Sequence, residues 1–127
     1  MATFKKFNLP FGSATYPSSG ATNIFTHPGS TDKASVIVGL SVSNTSSFDL
    51  PCDVWLKKAG TSLPHYLAKN RTVKAGETIQ LIDSGQKIVI EAVAGSTADA
   101  LWANAPTVDG SSTTTFSCWL SIYEDVN

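Results

Sequence analysis

Short runs in which apolar and polar residues alternate constrain the fold of this chain more than any other feature. The alternation is clearest in residues 35–44, SVIVGLSVSN. One face of this run carries Val36, Val38, Leu40 and Val42, and the other carries Ile37, Gly39, Ser41 and Ser43. A period of two is typical of a β-strand with one buried face. Residues 72–94 repeat the pattern, and we expect no long helix in the chain.

Turn-forming residues separate these runs at regular intervals. The turn segments are residues 44–47, 58–61, 74–77, 83–86 and 108–111. Short strands that recur every 8–12 residues or so, with turns between them, are typical of a β-sandwich or a small barrel. We predict an all-β fold, an antiparallel β-sandwich of the jelly-roll-like or Ig-like kind. Residues 34–127 are assigned to this single domain.

The first 33 residues differ from the rest, because prolines and glycines keep interrupting them. The spacing of their apolar residues fits neither a long helix nor a clean strand. We interpret residues 1–33 as an extended N-terminal arm, with one short strand around residues 21–26. Three interpretations of the arm stay open: a loop that covers its own domain, terminal disorder, or a segment that reaches a neighbouring subunit. In the last case the candidate interface residues are Phe4, Lys5, Lys6 and Phe7.

The remaining predicted strands have a polar and an apolar face. In the strand that begins at residue 50, the inner face carries Leu50, Cys52, Val54 and Leu56, and the outer face carries Asp53, Trp55 and Lys57. Pro51 indicates an edge position or a bulge, because proline has no amide hydrogen to donate. In residues 113–123 the inward set is Thr114, Phe116, Cys118, Leu120 and Ile122. Residues 100–106 are expected to form one turn of helix or an ordered loop. Both cysteines are expected to be buried, reduced thiols.

Composition excludes several functional classes. The chain has 127 residues, a net charge of -1 and a pI near 6.0, so there is no electrostatic reason to expect a nucleic-acid partner. No apolar run is long enough to span a bilayer, and the N-terminus lacks the apolar segment of a signal peptide. We expect a protein that is made in a cytoplasm, with no membrane partner. The low charged fraction of 15% suits a surface that packs against other subunits.

Patterns that would indicate catalysis or metal binding are missing from the sequence. The possible metal ligands His27, His65, Cys52 and Cys118 are far apart, so no local ligand pair exists. There is no Gly-x-Ser-x-Gly elbow and no glycine-rich phosphate loop that opens a helix. The candidate carboxylates Glu77, Glu91, Asp83 and Asp99 lie in predicted turns or on outward strand faces. We therefore expect no enzymatic activity, no metal and no cofactor.

Three tryptophans are the other candidate interface residues. Trp55 and Trp119 lie on the faces opposite the apolar stripes of their strands, and Trp102 lies among small residues. Trp102 is the aromatic residue that we most expect at a contact between subunits. Together with Tyr66 and Tyr123, the tryptophans are also compatible with a flat platform for stacking sugar rings. The alternative is that the N-terminal arm or a neighbouring subunit covers them.

Several motifs in residues 34–124 together resemble the small structural proteins of tailed bacteriophages. The motifs are VIVGLSVSN, DVWLKKAGTS, YLAKN at residues 66–70, VKAGET at residues 73–78, GQKIVI at residues 85–90, and a last strand that ends in IYE. Residues 98–106 depart from the family pattern and are a candidate partner-specific segment.

The resemblance implies a non-enzymatic virion protein that binds other virion proteins. The role that it implies first is a head decoration or cement protein, which binds and stabilises capsid subunits. A neck or tail component is the alternative within the virion, and a carbohydrate-binding β-sandwich is the alternative from another class. Particle symmetry makes a homo-oligomer, either a trimer or a ring, the expected assembly.

Overall fold

The structure is a computed structural model that describes residues 2–28, 33–61, 63–82, 87–92, 98–108 and 113–125. Within these residues the chain forms nine β-strands and no helix, which confirms the all-β prediction. The strands are β1 (Ala2–Phe11), β2 (Thr22–Thr26), β3 (Ala34–Asn44), β4 (Leu50–Lys57), β5 (Pro64–Val73), β6 (Thr78–Ile82), β7 (Ile88–Glu91), β8 (Ala100–Asn104) and β9 (Phe116–Asp125).

The strands form two antiparallel sheets. The five-stranded sheet has the order β1-β9-β3-β6, and β7 pairs with β3 as well. Because β7 pairs with residues 34–37 of β3 and β6 with residues 40–43, these two short strands follow one another along one edge of β3. The four-stranded sheet has the order β2-β8-β4-β5. The predicted antiparallel β-sandwich is therefore confirmed.

The inward residues of both sheets form one hydrophobic core. β9 alternates as predicted from Phe116 onward, with Phe116, Cys118, Leu120 and Ile122 all buried. The prediction is wrong for Thr114, which is exposed before the strand begins, while Thr115 is buried. The four-stranded sheet contributes Cys52, Val54, Leu101 and Ala103 to the same cluster. Removing apolar surface from water stabilises the fold by about 25 cal/mol per Å², so this shared core is what holds the two sheets together.

β3 changes the residues that it buries part-way along its length. The predicted strand carries Val36, Val38, Leu40 and Val42 on one face and Ile37 on the other. Both Ile37 and Leu40 are buried, however, with exposed fractions of 0% and 2%. The register with β9 shifts between Ile37 and Gly39, so that Val38 is the extra residue of a β-bulge. Odd positions face inward before the bulge and even positions after it. The prediction of one continuous apolar face is wrong for this reason.

The N-terminal residues differ from the predicted arm. β1 pairs with β9 along its whole length, from Ala2 opposite Asp125 to Phe11 opposite Phe116. The short strand expected around residues 21–26 is β2, which pairs with β8. Each sheet thus takes strands from both sides of the boundary predicted between residues 33 and 34. The first third of this segment, β1, is an edge strand of the sandwich.

The alternation of β1 is hard to recognise in the sequence for two physical reasons. Phe11 is fully buried, and Phe7 and Leu9 pack against the core at the expected spacing of two. Phe4 breaks this pattern because it lies on the outer face of the sheet. Pro10 interrupts the run as well. An edge strand tolerates proline, because on its outer side there is no neighbouring strand to which a backbone amide would donate a hydrogen bond.

Residues 100–104 form a strand, so the prediction of one turn of helix or a loop is wrong there. β8 lies between β2 and β4, paired on both edges. Its Leu101 and Ala103 fill the core, while Ala100 and Asn104 are buried on the other face. Alanine and leucine favour helices intrinsically, but burial and strand pairing on both sides override that weak preference.

The predicted turns have different roles in the structure. Residues 58–61 close the β4–β5 hairpin as expected, with the Thr61 amide donating to the Lys58 carbonyl at 3.1 Å. Residues 74–77 form a turn with Gly76 at a φ of 74°, but this turn carries the chain from the four-stranded to the five-stranded sheet. The predicted turn at 83–86 lies outside the described residues, and so do residues 109–111 of the last turn.

Pro51 lies in the part of β4 that pairs with a neighbouring strand on one side only, in agreement with the predicted edge position. β8 pairs with β4 only between Asp53 and Lys57, whereas β5 pairs with β4 from Leu50 onward. The backbone of Pro51 therefore has a strand on one side alone. This is the arrangement in which a missing amide hydrogen costs nothing.

Both cysteines are buried and free, and burial controls their chemistry. Burial raises the pKa of the Cys52 thiol from 9.0 to about 12, and the neighbouring Asp53 adds to the shift. Burial also raises the pKa of Cys118. Since the thiolate is the reactive form, both side chains behave as small hydrophobic groups at neutral pH.

We expect the free energy of unfolding to fall as the pH rises from about 9 to about 12. In this window the unfolded chain loses the Cys52 proton while the folded chain keeps it, so the unfolded state binds fewer protons and becomes favoured. Urea unfolding followed by tryptophan fluorescence across this pH range measures the slope. Cys52→Ala should give a shallower slope than the unchanged chain, and an identical slope would contradict the assignment.

Candidate contact surfaces

An apolar row crosses the outer face of the five-stranded sheet. Phe4 of β1 lies opposite Tyr123 of β9. Tyr123 lies opposite Val36 of β3, which in turn lies opposite Val89 of β7. Phe4 and Val89 are 76% and 54% exposed, and the ring centroids of Phe4 and Tyr123 are 4.7 Å apart. Directly opposite side chains share a face, so these four residues form one surface, which we call the outer apolar row.

Trp119 extends this surface along β9. Its ring is 45% exposed, and the Nζ of Lys6 lies 5.5 Å from the ring centroid, within cation–π range. An open groove of about 310 Å³ lies beside it, lined also by Gly39, Gln80 and Ser121. The groove passes over the β3 bulge, where Gly39 contributes no side chain. The face therefore offers a partner both an aromatic ridge and a depression.

Lys5 and Phe7 lie on the opposite face of β1 from Phe4 and Lys6. Phe7 packs against the core, and its ring centroid is 5.4 Å from that of Phe25. The Nζ of Lys5 donates to Oε1 of Glu124 at 2.6 Å. The Glu124 side chain is 3% exposed and that of Lys5 is 48% exposed, so the lysine reaches in from solvent to neutralise a buried carboxylate.

A second aromatic row crosses the outer face of the four-stranded sheet. Trp55 of β4 lies between Trp102 of β8 and Tyr66 of β5 in the register. The rings of Trp55 and Tyr66 are 5.9 Å apart and tilted by 53°. The Nζ of Lys69 lies 4.9 Å from the Tyr66 ring centroid. This row and the outer apolar row therefore point in opposite directions from the sandwich.

The chain between β1 and β2 packs on part of the outer face of the four-stranded sheet. Asp53 lies beneath it, and its Oδ1 accepts hydrogen bonds from the Tyr16 hydroxyl at 3.1 Å and the Asn70 amide at 2.6 Å. The Nδ2 of Asn104 donates to the Ser19 carbonyl at 2.9 Å. Burial, followed by the hydrogen bond to Asp53, raises the pKa of Tyr16. Part of the N-terminal segment thus packs on its own domain.

The seven predicted interface residues separate into three groups. Phe4, Lys6 and Trp119 share the outer face of the five-stranded sheet. Trp55 and Trp102 pair on the outer face of the other sheet, and Trp102 lies in a central strand instead of a loop. Lys5 and Phe7 are turned away from both outer faces. The five aromatic residues considered for a sugar platform therefore do not form a single platform.

Three residues of the outer apolar row are absent from the interface set predicted from the sequence: Val36, Val89 and Tyr123. Tyr123 is four residues after Trp119 on β9, so the two side chains lie on the same face of the strand, and the sequence alone shows this spacing. Val36 and Val89 join the row only through the pairing of β3 with β9 and β7. Register between distant segments is not encoded in any local pattern, so these two positions needed the structure.

Asp99 and His27, two of the groups considered for chemistry, have structural roles. Asp99 accepts hydrogen bonds from the backbone amides of Ala59 at 2.7 Å and Glu91 at 3.1 Å. The Nδ1 of buried His27 is 2.8 Å from the Ser35 hydroxyl, while His65 is exposed on β5. Among the described residues no three His, Cys, Asp or Glu side chains cluster as metal ligands, and no helix could cross a membrane. Asp83 lies outside those residues.

Comparison with known proteins finds relatives only at the level of fold. No protein-family model and no curated protein matches the chain. A chain of the T13 viral particle of infectious bursal disease virus is 16% identical, with a TM-score of 0.51 over 97% of this chain and 31% of that one. A chain from the Gx strain of this virus is 11% identical, with a TM-score of 0.50 over 98% and 32%.

At these identities the likeness shows a shared β-sandwich fold and assigns no residue roles. This chain spans about a third of the length of the viral chains that it matches. The folded unit described above therefore corresponds to one part of those larger chains.

Replacing Lys5 with alanine should lower the free energy of unfolding by about 1–3 kcal/mol, because it leaves the buried Glu124 carboxylate without its charged partner. Lys6→Ala is the matched control, since Lys6 is the next residue of the same strand but lies over Trp119 on the exposed face. Lys6→Ala should lower the free energy of unfolding by less than about 1 kcal/mol. Urea unfolding followed by circular dichroism measures both changes. Equal losses would show that Glu124 does not depend on Lys5.

Proposed function

We propose that this chain is a structural protein of a virus particle, and that it acts as a decoration protein that binds capsid subunits and stabilises them. The outer apolar row is the observation that carries the proposal. The fold likeness to chains of a viral particle supports it at the level of architecture. In this proposal the protein works by contact with other particle proteins and catalyses no reaction.

The outer apolar row has the properties of a protein contact surface. It crosses four strands that lie about 4.8 Å apart, so it extends over roughly 15 Å of the sheet. Monomeric proteins seldom leave large contiguous apolar patches in water, and such patches commonly mark interaction sites. Lys6, Asn8 and Gln80 border the row and Trp119 with polar groups, which matches the apolar centre and polar rim of protein interfaces.

Carbohydrate binding finds less support in the aromatic geometry. A sugar ring stacks on a flat and open aromatic face. Trp55 and Tyr66 are tilted by 53° to each other, so they do not form a flat platform. On the other sheet the Lys6 ammonium already occupies a position over the Trp119 ring. Both aromatic surfaces are better suited to an irregular protein partner.

The outer apolar row alone fits more than one position in a particle. A decoration protein and a neck or tail component would both use the outer apolar row against a neighbouring subunit, and particle symmetry would arrange several copies as a trimer or a ring. Immunogold electron microscopy of intact particles distinguishes a head position from a neck or tail position. Labelling over the head surface is the result that the decoration role requires.

Tyr123→Ser should weaken the binding of the purified chain to particles of the virus that encodes it by about tenfold or more, because it removes the centre of the outer apolar row. Tyr66→Ser is the matched control: Tyr66 is 39% exposed against 37% for Tyr123, but it lies on the other outer face. Co-sedimentation with particles that lack the protein measures both affinities.

Two results would count against this proposal. Unchanged particle binding by Tyr123→Ser would remove the outer apolar row from the contact, and loss of binding by Tyr66→Ser alone would move the contact to the other sheet. Point substitutions are preferable to deletion of residues 1–12. That deletion removes all of β1 and the fully buried Phe11, so it would damage the fold itself.

A further inference from the structure

One end of the sandwich carries a pocket with a basic border. The pocket has a volume of about 290 Å³ and opens where β4 ends and β5 begins, beside β7. Leu56, Leu63 and Ile88 supply apolar lining, and Lys57, Lys58 and His65 supply basic groups. We call this site the basic pocket.

The chemistry of the basic pocket suits an apolar group that carries an acidic neighbour. Leu63 is 76% exposed at its border, which leaves apolar surface in contact with water. Asp99 also lines the pocket, but both of its carboxylate oxygens accept backbone hydrogen bonds, from Ala59 and from Glu91. Asp99 keeps its negative charge there. The two lysines outnumber it, and no residue that the structure describes forms an ion pair with either of them, so the border of the pocket attracts a negative group on an incoming partner.

The connection between β3 and β4 presents a group of this kind. Phe48 is 53% exposed there, and exposed Asp49 follows it directly. The buried Asn44 fixes the loop: its Nδ2 donates to the Phe48 carbonyl at 2.7 Å, and its Oδ1 accepts from the Ser46 amide at 3.0 Å. Asp49 accepts from the Ala75 amide at 2.9 Å. We call residues 46–49 the Phe48 loop.

The Phe48 loop and the basic pocket lie at opposite ends of the molecule. β4 begins just after the loop and ends at the pocket, and its 8 residues run between them. At a rise of about 3.3 Å per residue, the two sites are roughly 25 Å apart. The loop therefore cannot reach the pocket of its own chain, but it can reach that of a second copy.

We propose that the Phe48 loop of one copy docks in the basic pocket of a second copy, head to tail. The phenyl ring occupies the apolar part beside Leu56 and Leu63, and the Asp49 carboxylate faces Lys57 and Lys58. The pocket is close to the lower limit of ligand sites, roughly 300 Å³, which suits one aromatic side chain. The Asp49 carboxylate is complementary to the ammonium groups of Lys57 and Lys58, and this pairing favours the Phe48 loop as the occupant and orients its approach.

This contact joins two different surfaces, so each copy keeps one unused end and the contact can repeat. Repetition gives a ring where the rotation between copies closes, and an open row of copies where it does not. The inference goes beyond the proposed role in a virus particle, because it concerns contacts between copies of the chain. It uses neither Tyr123 nor Trp119.

Two variants test the contact from its two sides. Phe48→Ser removes the ring from the loop, and Leu63→Glu places a negative charge at the pocket. Both positions are more than half exposed, so we expect both variants to fold, which circular dichroism checks. Sedimentation velocity over a series of concentrations should show association of the unchanged chain, and each variant alone should associate about thirtyfold more weakly or worse.

An equimolar mixture of the two variants gives the decisive result. Phe48→Ser retains an intact pocket and Leu63→Glu retains an intact loop, so the mixture should form dimers and nothing larger. A mixture that stays monomeric would overturn the proposal. So would an unchanged chain that stays monomeric, or a single variant that associates as strongly as the unchanged chain. Should Leu63→Glu fail to fold, Lys58→Glu replaces it with the same expected outcomes.

Tyr123→Ser separates this inference from the proposed function. It leaves the loop and the pocket untouched, so it should associate with itself like the unchanged chain. Any loss of its binding to particles then reports on the outer apolar row alone. Weakened self-association of Tyr123→Ser would overturn the assignment of the contact to the two ends.

Discussion

The sandwich depends on the pairing of β9 along both of its edges. On one side it pairs with β1 from Ala2 to Phe11, and on the other with β3 from Ser35 to Asn44. Its inward residues are buried, so the backbone groups between them need partners within the protein. Loss of either neighbouring strand would leave those groups unsatisfied and would open the core to water. The N-terminal segment is for this reason a structural part of the domain.

The same strand also links the core to the exposed surface. Alternation along β9 points Leu120 and Ile122 into the core and Trp119 and Tyr123 outward. Glu124 points inward and is neutralised by Lys5, while the next residue of β1, Lys6, lies over Trp119 on the outer face. A shift of one residue in the register of β1 would exchange these two lysines. The Lys5–Glu124 ion pair and the Lys6–Trp119 contact therefore both require the same register between β1 and β9.

Local pattern predicts a strand here when one face is apolar and the other polar. β9 and β4 satisfy this condition, and their inward residues follow from sequence alone. β8 is buried on both faces, so its sequence does not alternate between apolar and polar residues. β3 contains a bulge, so its inward residues change from odd-numbered to even-numbered positions. The candidate surface divides in the same way. Phe4 and Trp119 could be named from the sequence, whereas Val36 and Val89 join them only through long-range register.

The division of one edge between β6 and β7 has a consequence for solubility. These strands have 5 and 4 residues and follow one another along β3, with residues 83–87 between them in the sequence. A long, straight and unpaired edge acts as a template on which other chains add strands, and this is a route to fibrils. Two short strands in place of one long strand break that template. This edge of β3 therefore offers other chains no long template, in contrast to β1 and β5, which are edge strands of 10 residues each.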